Sequence, residues 1–190
     1  MFIQTETTPN PATLKFIPGK PVLASGTLEY RGLDEAGDSP LASRLFGVDG
    51  VTGVFLGQDF ISVSKDEPIA WQHLKPAVLG AIMEHFMSGA PVVGGAAPAE
   101  GTAADSGSED YSADDQEIVD TIKELIETRV RPAVANDGGD IVFRGYREGV
   151  VMLHMRGACS GCPSSTATLR NGIENMLKHY VPEVTEVRAS

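Results

Sequence analysis

A long stretch near the middle of the chain cannot form a packed core, and this limits what the rest can fold into. Residues 89–115, GAPVVGGAAPAEGTAADSGSEDYSADD, consist mostly of Ala, Gly, Pro, Ser and acidic side chains. Such a segment buries too little apolar surface to offset the entropy that it would lose on ordering. We therefore predict a flexible acidic Ala/Gly/Pro linker over residues 91–113. It joins two small domains, residues 1–90 and residues 114–190.

The negative charge of the chain is concentrated in the same region. The formal net charge is −11, and residues 91–117 contain seven acidic side chains but no Lys or Arg. Nucleic-acid binding depends on Lys and Arg side chains that neutralise phosphates, so the lack of a basic patch argues against a nucleic-acid partner. The chain also has no run of ~18 apolar residues that would indicate a membrane span.

The beginning of the chain, MFIQTETTPN, has neither the basic and apolar regions of a signal peptide nor the Arg-rich character of a transit peptide. It is typical of a strand that begins at residue 2. We expect a cytoplasmic protein, or a mitochondrial matrix protein from which a targeting segment has been removed.

The first domain is predicted to be α+β. Its strands are FIQTET, ATLKFIP, VTGVFLG and FISVSKD, and the last two form a hairpin. A short helix has Ser39 as its N-cap, Pro40 at its first position and Gly47 at its end. A longer helix runs from about Ile69 to Met87. The turn TPNPATLKF is interpreted as structural, and the domain carries no chemical motif of its own, so we expect a docking surface for client proteins.

The second domain is predicted to have the order α-β-β-α-β, with helices packed on a small mixed sheet. Its first helix follows a cap at Ser112 or Asp114 and ends at NDGGD. DIVFRGY and GVVMLHM form a hairpin, a loop with both cysteines precedes the next helix, and EVTEVRA is the last strand. The apolar stripe of the first helix is predicted to comprise Ile118, Ile122, Leu125, Ile126 and Val130.

The loop GACSGCPSST contains both cysteines of the chain, Cys159 and Cys162. Pro163 occupies the first position of the following helix, which places Cys162 at or beside the N-cap. Unpaired N–H groups and the positive end of the helix dipole would then face the sulfurs, and Arg156 adds a nearby positive charge. We expect this environment to lower the thiol pKa values and to favour the metal-ligating thiolates.

Two thiols at CxxC spacing are compatible with several chemistries. A dithiol–disulfide oxidoreductase would use Cys159 as its nucleophile, although the preceding elements differ from a thioredoxin-like βαβ unit. A structural zinc site and an iron–sulfur cluster each need four ligands, and one chain supplies two. The four histidines show no ligand spacing to the cysteines. Either metal site would therefore be completed by two chains around a two-fold axis.

Both halves of the sequence resemble the Nfu family. DGGDI followed by GACSGCPSSTATLRNGIENML is similar to the NifU-type C-terminal domain, and MFIQTETTPNPATLKFIPG with WQHLKPAVLGAIMEHF is similar to the Nfu N-terminal domain. The resemblance implies a non-enzymatic scaffold or carrier that binds one [4Fe-4S] cluster per homodimer, shared between subunits through Cys159 and Cys162. It implies an upstream scaffold as cluster donor and iron–sulfur apo-proteins as clients. It also suggests that Asp137–Asp140 shape a turn near the cluster loop.

Overall fold

The computed structural model describes residues 1–94, 112–160 and 163–189, apart from the side chains of residues 163 and 165. Two compact units divide the chain, Met1–Ala103 and Ala104–Ser190. Each unit combines helices with a sheet, which confirms the α+β prediction. Most of the predicted linker, residues 95–111, lies outside the described residues, so the domain boundaries stay predictions.

Residues 1–94 of the first unit form a five-stranded antiparallel sheet and two α-helices. In chain order these strands and helices are β1 (Gln4–Thr7), β2 (Thr13–Ile17), β3 (Leu28–Tyr30), α1 (Pro40–Phe46), β4 (Val51–Leu56), β5 (Ile61–Lys65) and α2 (Trp71–Ser88). The strands lie in the order β1-β2-β5-β4-β3, each hydrogen-bonded to its neighbour in antiparallel register. β3 was not predicted because three residues at a sheet edge are too short to show alternation.

The predicted capping of α1 is confirmed in detail. Ser39 adopts an extended backbone and its side chain accepts a hydrogen bond from the Ala42 N–H, while Pro40 occupies the first helical position and Gly47 the C-cap. The residues after α2 return to this point. Ser39 Oγ donates to the Val92 carbonyl at 2.7 Å, and the Gly94 N–H donates to the Asp38 carbonyl. Residues 92–94 are therefore bound to the first unit.

The core of the first unit lies between the sheet and the two helices. Phe16, Leu41 and Ile82 are fully buried there, and Trp71 and Phe86 are partly buried and pack against this core. The indole N–H of Trp71 donates to the Pro11 carbonyl at 3.1 Å. This bond attaches the TPNP turn to α2, which supports the structural interpretation of that turn.

The second unit has the predicted order α-β-β-α-β. Its elements are α3 (Gln116–Leu125), a π-helical segment (Ile126–Val130), α4 (Arg131–Asn136), β6 (Gly139–Arg147), β7 (Val150–Gly157), α5 (Pro163–Tyr180) and β8 (Glu186–Ala189). β7 is the central strand, antiparallel to β6 and parallel to β8. The sheet is therefore mixed, as predicted.

The first helix of the second unit uses a slightly different buried face from the predicted one. Ile118 and Leu125 are only partly buried, and the buried side chains are Val119, Ile122, Ile126, Val130 and Val134. An α-helix turns by about 100° per residue, so repeated steps of four residues drift around its axis. The wider π-helical segment in the middle compensates for this drift and keeps the later side chains on the core.

Candidate functional site

Cys159 follows β7 and belongs to the core of the second unit. Its residue is 5% exposed, and its thiol is free. The Thr166 hydroxyl on α5 donates to the Cys159 carbonyl at 3.0 Å. Cys162, the other predicted ligand, lies outside the described residues, so the structure places only one of the two sulfurs.

The Asp137–Asp140 turn lies directly against Cys159. Gly138 has a φ of +79°, a value that amino acids other than glycine rarely adopt. Its carbonyl accepts a hydrogen bond from the Ala158 N–H. Gly139 is needed for a different reason, because a Cβ added there would lie 2.7 Å from Cys159 Sγ and 2.7 Å from the Arg156 carbonyl. The prediction that Asp137–Asp140 shape a turn near the cysteine loop is confirmed, and Gly138 supplies the unusual backbone conformation in this turn.

An ion pair that sequence reasoning missed holds the same turn. Asp140 is almost completely buried, and its carboxylate receives two hydrogen bonds from Arg131, with Nε at 2.8 Å and Nη2 at 2.9 Å. Arg131 also pairs with Glu127 on the preceding helical turn, and the two carboxylates hold the pKa of its guanidinium above the usual value. The Ile141 N–H donates to Asp140 as well. An acid and a base separated by nine positions give no local sequence signal.

The expected lowering of the thiol pKa is wrong for Cys159. Burial, together with the negative charges of Asp137 and Asp140, raises the pKa of this thiol to about 12. In the absence of a metal the Cys159 thiol is therefore protonated at neutral pH. Desolvation by the surrounding core residues is the largest of these effects.

The described residues provide no complete metal site. Within residues 1–94, 112–160 and 163–189, no three His, Cys, Asp or Glu side chains lie together in an arrangement that could hold a metal ion. The acidic neighbours of Cys159, Asp137 and Asp140, affect its pKa through their charge and do not form a metal-binding group with it. In this part of the chain Cys159 is the soft donor that suits iron or zinc. No helix described here is long and apolar enough to cross a bilayer.

Two family models match the chain and together cover most of it. The model for the N-terminal domain of the scaffold protein Nfu/NifU matches residues 3–89, and the model for the NifU-like domain matches residues 122–188. The second match includes the Asp137–Asp140 turn and both cysteines. The chain belongs to the Nfu/NifU family of scaffold proteins.

Individual relatives align along nearly the whole chain. The chain is 52% identical over 188 residues to the NFU1 iron-sulfur cluster scaffold homolog, mitochondrial, of Drosophila sechellia, with 98% of this chain and 64% of that protein covered. The human protein of the same name is 49% identical, with 98% and 71% covered. NifU-like protein 4, mitochondrial, of Arabidopsis thaliana is 50% identical, with 98% and 65% covered. The chain thus spans about two thirds of the length of these proteins.

Proposed function

We propose that this protein is an iron–sulfur cluster carrier whose Cys159 and Cys162 each supply a thiolate to a [4Fe-4S] cluster shared by two subunits. The main support for this proposal is the close contact between Cys159 and the turn at Gly139, within a domain of the NifU type. A cluster needs four thiolates, and two chains supply four. The cluster is cargo, which the protein receives from an upstream scaffold and passes to apo-proteins.

Cluster binding requires a change at Cys159. A sulfur in a residue that is 5% exposed cannot reach a cluster shared with a second subunit, so the loop has to open and the thiol has to lose its proton. Release would proceed by ligand exchange, in which thiolates of the client replace Cys159 and Cys162 one at a time. Because the cluster binds only the paired form, cluster binding and dimerisation should be thermodynamically linked.

Anaerobic reconstitution tests this function. We expect about two iron and two sulfide per chain, from four of each per dimer, together with a shift in solution mass from monomer towards dimer. Cys159→Ser and Cys162→Ser should each abolish cluster uptake. One iron per chain would replace the [4Fe-4S] assignment by a [2Fe-2S] cluster, and a cluster retained by a monomer would overturn the shared site.

Two alternatives are decided by the same preparation. Zinc in oxygen-free protein, at one ion per dimer and without iron, would favour a zinc-stapled dimer. Turnover of a disulfide substrate by metal-free protein would favour an oxidoreductase, but a Cys159 thiol with a raised pKa is a poor nucleophile at neutral pH. The relatives are named as scaffolds, which supports the carrier.

The cellular location is also a proposal. The relatives are named as mitochondrial proteins, which agrees with the matrix alternative and does not support the cytoplasmic expectation. We therefore propose the mitochondrial matrix. Fractionation with an antibody to this protein tests the location.

A further inference from the structure

We propose that Arg131 is a positioning residue for the cysteine site, because its ion pair with Asp140 holds the turn that keeps Cys159 in the core. This inference rests on the proposed function only in taking Cys159 as a cluster ligand. Arg131 acts on Cys159 through the turn. It therefore controls how readily the cysteine loop opens.

The first step of the argument is the geometry of the ion pair. The Arg131 guanidinium meets both carboxylate oxygens of Asp140 at 2.8 and 2.9 Å, in a two-point arrangement that fixes the orientation of the carboxylate. The side chain of Asp140 is 4% exposed, whereas that of Arg131 is 32% exposed. A buried carboxylate that loses its cation is strongly unfavourable. Asp140 is therefore held to α4 as long as Arg131 is present.

The second step leads from Asp140 to the cysteine. Asp140 directly follows Gly139 at the start of β6, and Gly139 is paired with Gly157 of β7, two residues before Cys159. Gly139 lies in contact with Cys159 Sγ, and the Gly138 carbonyl accepts the Ala158 N–H at 3.2 Å. A displacement of Asp140 is thus transmitted through two adjacent backbone contacts to the cysteine loop.

The third step concerns the helix that carries Arg131. Arg131 begins α4, immediately after the π-helical segment Ile126–Val130. Glu127 within that segment binds the Arg131 Nη1 with both oxygens, at 3.0 and 2.8 Å. Arg131 is therefore held between one exposed and one buried carboxylate. The helix thus fixes the position of the Arg131 guanidinium, and the guanidinium in turn fixes the position of Asp140 in the turn.

The experiment measures alkylation of Cys159 in the full-length apo-protein by iodoacetamide, resolved from Cys162 by mass spectrometry. We expect Arg131→Met to raise the Cys159 rate about tenfold, which corresponds to ~1.4 kcal/mol less free energy for local opening. Arg131→Lys keeps the charge but loses the two-point geometry, so we expect a smaller increase. Asp140→Asn should raise the rate as well. The double variant Arg131→Met/Asp140→Asn should show less than the product of the two single effects.

A matched control separates positioning from general stabilisation. Glu174→Gln weakens a different ion pair of the same unit, in which Glu174 accepts from Lys178 at 2.6 Å and from the Val187 N–H at 3.1 Å. Rates are compared over a series of low urea concentrations, because local opening depends weakly on urea and global unfolding depends strongly on it. We expect a higher, urea-insensitive Cys159 rate in the Arg131 variants and an unchanged rate in Glu174→Gln.

The proposal is overturned if the Cys159 rate stays unchanged in the Arg131 variants, or if it follows global stability equally in all variants. Should Arg131→Met not fold, Arg131→Lys still decides the question, because it keeps both charges near Cys159 and changes only the geometry of the ion pair. The readout needs no cluster. Failure of the wild-type protein to take up iron would therefore count against the proposed function, and an unchanged alkylation rate would count against the role of Arg131.

Discussion

Gly139 and Cys159 are in such close contact that no side chain fits between them. They are twenty positions apart in the chain, yet a Cβ at Gly139 would lie 2.7 Å from the Cys159 sulfur and 3.1 Å from the Cys159 backbone nitrogen. A side chain at position 139 would therefore force these neighbouring atoms to move. The conformation of the cysteine loop thus depends on a position that carries no side chain.

Gly139→Ala is expected to displace the cysteine loop. Because one obstacle is the backbone carbonyl of Arg156, which cannot rotate away, we expect a loss of about 1–3 kcal/mol in the stability of the second unit. Reconstituted iron per chain should also fall. Hydrogen–deuterium exchange of β6 and β7 in the full chain measures the stability. Gly172→Ala on α5 is the matched control, since nothing lies within 4 Å of its added Cβ, and it should stabilise the helix by up to ~1 kcal/mol. Equal behaviour of the two variants would contradict the role of Gly139.

Thr166→Val should loosen the same loop from the other side. The Thr166 hydroxyl donates to the Cys159 carbonyl, and removing this bond costs about 1 kcal/mol of local stability. We expect Cys159 to be alkylated roughly fivefold faster in the apo-protein. Thr168→Val removes a hydrogen bond of the same length within α5, from the Thr168 hydroxyl to the Ser164 carbonyl. It should leave the alkylation rate of Cys159 unchanged. A similar rate increase in both variants would show that helix stability, not loop attachment, is responsible.

His85 is expected to make the first unit less stable in mild acid. Its ring is completely buried, and neither nitrogen has a hydrogen-bond partner among the described residues. Burial lowers the pKa of His85 from 6.5, and the positive charge of Arg44, itself paired with Glu84, lowers it further. The unfolded chain therefore binds more protons, and stability is lost as the pH falls below about 6.5 towards the folded pKa. Trp71, the single tryptophan, reports unfolding of this unit by urea across that pH range.

The pH dependence of stability is compared between two variants, His85→Leu and His73→Gln. Leucine can fill the apolar site without leaving polar atoms unpaired, so we expect that variant to lose most of the pH dependence between pH 6.5 and the folded pKa. His73 is exposed on α2, and its replacement should leave the pH dependence in place. If His85→Leu retained the full wild-type dependence, another titrating group would be responsible.

Ser39→Ala should destabilise the first unit by about 1–2 kcal/mol, because the hydroxyl both caps α1 and holds the chain after α2. It accepts from the Ala42 N–H at 3.1 Å and donates to the Val92 carbonyl at 2.7 Å. Urea denaturation followed by Trp71 fluorescence measures the loss. Ser39→Thr keeps the hydroxyl and should retain most of the stability. A smaller loss for Ser39→Ala than for Ser39→Thr would show that packing at this buried position outweighs both bonds.

Much of the fold could be predicted because its signals are local. Ser39, Pro40 and Gly47 mark the ends of α1 through their own backbone preferences and capping chemistry, and the structure has them in those roles. The hairpin of β6 and β7 follows from the alternation of apolar residues along each strand. β3 is missing from the prediction because three residues show no period. The predicted stripe of the first helix of the second unit includes Ile118 and Leu125, which are only partly buried, and it omits Val119 and Val134. The π-helical segment, which no sequence pattern reveals, helps to place Val134 on the core.

By itself, the sequence determined the order of elements in the second unit, the two α+β units and the identity of the candidate ligands Cys159 and Cys162, since these depend on neighbouring residues and on residue type. The tertiary structure alone decided the protonation of the Cys159 thiol, the contact of Gly139 with its sulfur and the pairing of Arg131 with Asp140. The physical reason is that desolvation and ion pairing depend on which groups surround an atom in space. At Cys159 the charged groups are Asp137 and Asp140, which lie about twenty positions earlier in the chain.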